Sequence, residues 1–104
     1  MNILALIPAR MGSTRFPGKP LANIHGKPMI GHVYDRVSKS SLLSMTAVAT
    51  CDQEIYDYIT SIGGNAVMTA DTYERASDRC AEALLKLEEA NNITYDIVVM
   101  VQGD

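Results

Sequence analysis

Four short apolar runs constrain this chain more than any other feature of it. They are Asn2–Ile7 (NILALI), Thr46–Thr50 (TAVAT), Ala66–Met68 (AVM) and Ile97–Val101 (IVVMV). Near-continuous apolar runs of this length, without in–out alternation, are the mark of strands covered on both faces. Between them the pattern changes to a helical period. Met29, Ile30, Val33 and Val37 predict a helix from Pro28 to about Lys39, with Pro28 as its first residue. Asp52 is a good N-cap for a second helix with Ile55, Ile59 and Ile62 on one face, ended by Gly63-Gly64. A third helix is predicted from Glu74 to about Glu89, with Ala76, Cys80, Ala83, Leu84 and Leu87 inward and Asn91-Asn92 as its stop. The order β-α-β-α-β-α-β implies an α/β fold: a parallel sheet with helices on both faces.

At 104 residues the chain is one domain at most. No apolar run approaches the roughly 20 residues of a membrane span. The first run is short, Pro8 stops it, and basic residues follow it, which is not a signal-peptide pattern. Cys51 and Cys80 lack metal-type spacing and read as reduced thiols, so a cytoplasmic location is expected. Residues 1–50 hold six Lys/Arg and one acid, while residues 51–104 hold three and eleven. A nucleic-acid binder would show a broad basic stripe and a pI above about 9. Here the pI is near 5.2 and the positive charge is local, which favours a small anion over a polyanion.

That charge is concentrated in Pro8–Leu21 (PARMGSTRFPGKPL), directly after the first strand, where a doubly wound sheet presents its ligand crevice. Gly12 and Gly18 let backbone N–H groups approach an anion. Pro17 and Pro20 stiffen the loop. Arg10 and Arg15 can grip phosphate oxygens with a planar fork, and Lys19 adds a compact point charge. Three cations at one crevice suit a triphosphate. The loop is neither a dinucleotide fingerprint, having no G-x-G-x-x-G, nor a Walker loop, being one residue too long with Pro20 in place of the metal-binding hydroxyl.

Other positions carry weaker signals. Asp104, beyond a very apolar strand, is placed either to hold Mg²⁺ on a nucleotide or to serve as a turn residue, and its position leaves both open. The third helix opens near Arg75 and Arg79, and either side chain could face the crevice from a helix N-terminus. His25 and His32 have no neighbouring ligand and read as structural or exposed. Cys51 has no base beside it in sequence and reads as a packing residue, and Met29, Met45, Met68 and Met100 read as core.

Three ordered segments carry a resemblance. They are Ile7-Pro8-Ala9-Arg10, Gly12-Ser13-Thr14-Arg15-x-Pro17-Gly18-Lys19-Pro20-Leu21, and Gly26-Lys27-Pro28-Met29-Ile30. Together with Val48-Ala49-Thr50 and Val101-Gln102-Gly103-Asp104, they resemble the sugar nucleotidyltransferases that make CMP-activated acidic sugars, and among them the 3-deoxy-manno-octulosonate (KDO) cytidylyltransferase family. The resemblance implies a Rossmann-like nucleotide-diphospho-sugar transferase fold. Residues 1–104 would be the N-terminal, nucleotide-binding part of a single domain that ends here just after its fourth strand. It implies that Pro8 and Ala9 lie along CTP, that Arg10 and Lys19 act on its phosphates as the catalytic cations, and that Gly12, Ser13, Arg15, Thr50 and Gln102 complete the nucleotide site. Asp104 would ligate Mg²⁺, and Ser77, Asp78 and Arg79 would approach the sugar.

The implied reaction is attack of the sugar's anomeric hydroxyl on the α-phosphate of CTP, giving CMP-sugar and pyrophosphate for cell-surface polysaccharide synthesis. The implied partners are CTP and an acidic sugar, with no nucleic acid or membrane, and a homodimer is expected. The sequence departs from the family pattern at three places. Ala70 stands where the KDO enzymes commonly carry Arg, Tyr73 where they carry His, and Cys51 where Asp is frequent. Activation of a different nonulosonic acid, a spore-coat type of cytidylyltransferase, and a module that binds CTP without catalysis therefore stay open.

Overall fold

The computed structural model describes residues 1–12, 18–72 and 75–102. Its elements in chain order are β1 (Ile3–Ala9), a 3-10 turn (Lys19–Leu21), β2 (Asn23–Ile24), β3 (Lys27–Pro28), α1 (Met29–Ser38), β4 (Met45–Thr50), α2 (Gln53–Ser61), β5 (Ala66–Met68), α3 (Ala76–Asn91) and β6 (Ile97–Met100). The four apolar runs form one sheet in the order β5-β4-β1-β6, with every described pairing parallel. The α/β reading of the sequence is borne out.

Both faces of the sheet are covered around its centre. Leu4 and Leu6 of β1, with Ala47 and Ala49 of β4, pack against Cys80, Ala83 and Leu87 of α3. Ile7, Ala9 and Val48 point the other way, onto Ile30 of α1 and Ile55 and Ile59 of α2. This two-sided demand is why β1 is apolar at every position instead of at alternate ones. Leu4, Leu6, Ile7, Ile30, Ile55 and Ile59 are fully buried. Each contributes about 1.5–3 kcal/mol relative to exposure.

The boundaries depart from the sequence reading at instructive points. Strand β1 runs through Pro8 to Ala9 and does not stop at Ile7. The carbonyls of Asn2 and Leu6 accept N–H groups from Asp96 and Val101 respectively, so even-numbered residues of β1 face β6. Pro8 shares that side and has no N–H to offer. Pairing with β6 accordingly ends at Leu6–Met100, while pairing with β4 continues to Ala9–Thr50. Pro28 ends the small antiparallel β2–β3 hairpin as the N-cap of α1, with an extended ψ of 146°, instead of opening the helix. The hairpin turn has positive φ at both His25 and Gly26, as the favoured two-residue turn requires. Helix α3 begins at Ala76 instead of Glu74, because Arg75 is extended. Ile62, expected on the buried face of α2, is the helix C-cap and is 43% exposed.

The chain order creates a switch point. From β1 the chain moves outward through α1 to β4 and through α2 to β5. It then crosses back through α3 to β6, on the opposite side of β1. The carboxyl ends of β1 and β6 thus lie side by side while their connections diverge, the place where open α/β sheets bind ligands. Strand β6 is also an edge of the described sheet, and Ile97, Val98, Val99 and Met100 stay about two-fifths exposed.

Candidate functional site

At the carboxyl end of β1 the buried strand residues Pro8 and Ala9 lead into the exposed Arg10. These three residues, with Ala76 and Arg79 from the first turn of α3, line a cleft of about 180 Å³. Arg79 is only 3% exposed, and its Nη2 lies 3.9 Å from the Cys51 Sγ at the end of β4. One wall therefore carries a solvent-facing guanidinium and the other a buried one, with a helix N-terminus beside them. Such an arrangement favours an anion with several oxygens.

The loop leaving this cleft has a defined neck. Met11 N–H donates to Asp52 Oδ2 at 2.8 Å, and Gly18 N–H donates to the Met11 carbonyl at 2.9 Å. Gly18 has φ +78°, which a side chain would strain, and passes directly into the 3-10 turn that starts with Lys19. Arg10 and Lys19 thus flank the neck immediately before and after it. The backbone between them at 11 and 18 is pinned.

Cys51 is half-buried. Burial pushes its thiol above the ordinary range; the Asp52 carboxylate adds to this, and Arg79 partly opposes it. A neutral thiol is a poor nucleophile, so this position suits packing better than covalent chemistry. Cys80, on the buried face of α3, is raised by burial as well.

The chain matches the family model described as cytidylyltransferase over residues 4–104. It belongs to the cytidylyltransferase family. It is 52% identical over 104 residues to the 3-deoxy-manno-octulosonate cytidylyltransferase of Trichlorobacter lovleyi, covering all of this chain and 39% of the relative. It is 48% identical to the 8-amino-3,8-dideoxy-manno-octulosonate cytidylyltransferase of Shewanella amazonensis, covering 41% of that protein. A solved structure of CMP:2-keto-3-deoxy-manno-octonic acid synthetase complexed with CTP superposes with a TM-score of 0.89 at 39% identity, over all of this chain and 41% of that one. A cytidylyltransferase from Leptospira borgpetersenii gives a TM-score of 0.73 at 29% identity, with 42% of its chain covered. The chain thus spans about two-fifths of the length of the relatives it matches.

Within this cytidylyltransferase fold, the residues singled out from sequence fall into groups. Pro8, Ala9, Arg10 and Arg79 meet around one cleft. Gly12 is exposed at the start of the loop, and Lys19 sits half-buried beyond the neck. Thr50 is fully buried, and its Oγ1 accepts the Asp52 N–H at 3.1 Å. Ser77 and Asp78 are exposed on α3 and do not line the cleft with Arg79. Of the two arginines considered for the crevice, Arg79 faces it and Arg75 is an exposed N-cap. Gln102 lines a second groove of about 480 Å³ with Ile24, Met29, Val33 and Val101. Ser13, Arg15 and Asp104 lie outside the described residues.

Sequence reasoning missed Ala76, whose small side chain leaves room at the helix start, and the reach of Asp52 to the loop. Only Asp52 carried a signal, and it pointed to helix capping. Among the described residues there is no group of three or more His, Cys, Asp or Glu that could cage a metal.

Proposed function

We propose that this chain is the nucleotide-binding portion of an enzyme that transfers a cytidylyl group from CTP to KDO or its 8-amino analogue, releasing pyrophosphate. The observation that carries the reading is the pairing of Arg10 and Arg79 across a cleft at the β1/β6 switch point, reached by the pinned cationic loop. The names of the relatives, at about half identity over the full chain, support the cytidylyl chemistry and the octulosonic acid together.

In this reading CTP lies along Pro8 and Ala9 with its phosphates toward Arg10 and Lys19. Gly12, Ser13 and Arg15 supply further loop contacts, and the buried Thr50 supports the nucleotide site from the core side. The anomeric hydroxyl oxygen of the sugar attacks the α-phosphorus and gives its proton to solvent, the bond from that phosphorus to the bridging oxygen breaks, and the electron pair leaves with pyrophosphate. The cations neutralise charge that builds on the departing oxygens, so catalysis is mainly positioning and electrostatics. Mg²⁺ bound to a nucleotide takes one or two protein carboxylates, a donor set that Asp104 fits, and would supply further charge neutralisation. Ser77, Asp78 and Arg79 approach the sugar.

Localisation in the cytoplasm, a homodimeric assembly and a place in surface polysaccharide synthesis belong to the same proposal. Among the described residues no helix is long and apolar enough to cross a membrane.

The test is a pyrophosphate-release assay on the native-length protein. CTP with KDO, the 8-amino analogue and a sialic acid should be compared, with and without Mg²⁺. Release confined to CTP with an octulosonic acid is expected. CTP binding without release for any sugar would favour a binding module, and no CTP binding would overturn the reading.

A further inference from the structure

Asp52 occupies the N-cap of α2 with extended backbone angles, φ −104° and ψ 121°, yet its side chain makes no capping bond to the helix. An aspartate in that position ordinarily accepts an N–H of the first turn, worth about 1 kcal/mol. Here Oδ2 turns away and accepts the Met11 N–H at 2.8 Å, from a residue 41 positions earlier. The Cys51 thiol approaches the same oxygen at 3.7 Å. The backbone N–H of Asp52 is itself held by the fully buried Thr50 hydroxyl. The carboxylate therefore projects from a fixed point at the end of β4.

We infer that Asp52 is a positioning residue for the nucleotide loop, clamping the neck at Met11 so that Arg10 and Lys19 leave it in fixed directions. This rests on the nucleotide reading of the loop. Met11 has both backbone groups engaged: its N–H by Asp52 and its carbonyl by Gly18. The Gly18 bond closes the loop on itself, and among the described residues the Asp52 bond is the one that ties the closed loop to the neighbouring strand end. A charge-assisted bond from a backbone N–H to a carboxylate is stronger than a neutral one, which suits a tether that must hold against a polyanion pulling on adjacent cations. The geometry also accounts for the missing cap. One carboxylate oxygen serves the loop, and the helix gives up its side-chain cap.

Two variants separate the roles. Asp52→Ser keeps a residue that caps helices as well as aspartate but is too short to reach Met11. Asp52→Asn keeps a side-chain carbonyl that can accept the same bond. Amide hydrogen exchange, read residue by residue without ligand, is measured together with CTP titration calorimetry. In Asp52→Ser, Met11 N–H exchange should rise about tenfold, as for loss of one hydrogen bond to a charged group, with Tyr56 and Asp57 in α2 unchanged. CTP affinity should fall by a similar factor, about tenfold. Asp52→Asn should restore both to within about threefold of wild type, the residue of a neutral for a charged acceptor.

Unchanged Met11 exchange in Asp52→Ser would overturn the clamp. So would a rise spread equally through α2, which would mark Asp52 as a helix-start residue only. Wild-type protein that binds no CTP would remove the nucleotide reading, and the Met11 exchange would still decide whether the clamp exists.

Discussion

Replacement of Arg10 by alanine removes an exposed guanidinium that leaves the sheet at the end of β1 and lines the cleft with Arg79. The residue before it, Ala9, is the last paired residue of the strand, and the residue after it, Met11, is pinned by Asp52 and Gly18. Its backbone is thus held on both sides, and truncation of the side chain should leave the fold intact, within about 0.5 kcal/mol for an exposed site. A hydrogen bond to a charged phosphate is worth about 1.5–3 kcal/mol. With a factor of ten for every 1.4 kcal/mol, CTP affinity should weaken roughly 10- to 150-fold. Titration calorimetry at two salt concentrations is the assay. The loss should shrink as salt rises, because screening weakens the wild-type contact first. Arg36→Ala is the control: this exposed cation lines the groove on α1, away from the cleft, and its loss should leave CTP binding unchanged. Equal affinity of Arg10→Ala and wild type, with both folded, would refute the assignment of the loop.

Further outcomes are expected. Asp104→Asn in the native-length protein should abolish pyrophosphate release while CTP binding without Mg²⁺ persists, and undiminished release would remove Asp104 from the metal site. Gly31→Ala should lower the melting temperature, because an added Cβ would meet the Tyr58 ring at 3.2 Å with its hydroxyl closer still. Overpacking of this kind costs about 1–3 kcal/mol, and Tyr58→Phe in the same chain should recover part of the loss in a calorimetric melt. The half-exposed apolar strand β6 should make the 104-residue chain self-associate in sedimentation, and Val99→Lys should suppress it. A chain that is monomeric at every concentration would contradict this.

Buried Cys80 should lower stability in alkali. Its folded thiol is raised above the ordinary 9.0, so the unfolded chain releases its proton first and stability falls as pH climbs past that value. Urea melts of Cys80→Ala should show a shallower alkaline decline than wild type.

Much of this molecule is legible in its sequence because the decisive signals are local. Continuous apolar runs marked four strands, and the i, i+4 spacing of Ile55 and Ile59 marked α2. Glycines, prolines and cations right after the first strand marked the loop, since strand ends and ligand crevices coincide in this architecture. What escaped depended on partners distant in sequence. Asp52 looks like a helix cap until Met11 is brought beside it. The continuation of β1 through Pro8 makes sense only once β6 is known to flank that side and to stop short. Arg79 is one of two arginines at a helix start, and only the packing of α3 on the sheet, with Arg75 left outside the helix as its extended N-cap, decides that Arg79 is the one buried against the cleft. Gln102 follows its strand in sequence as Arg10 follows β1, yet it faces the α1 groove.

The central claim is that CTP binds at the junction of β1, the pinned loop and the start of α3. Backbone amide chemical shifts followed during a CTP titration test it most directly. The account predicts saturable changes at Ala9 to Gly12, at Gly18 and Lys19, and at Ala76 to Arg79, with Val33 and Val37 of the α1 groove unmoved. Changes confined to the α1 groove, or none at saturating CTP, would contradict it.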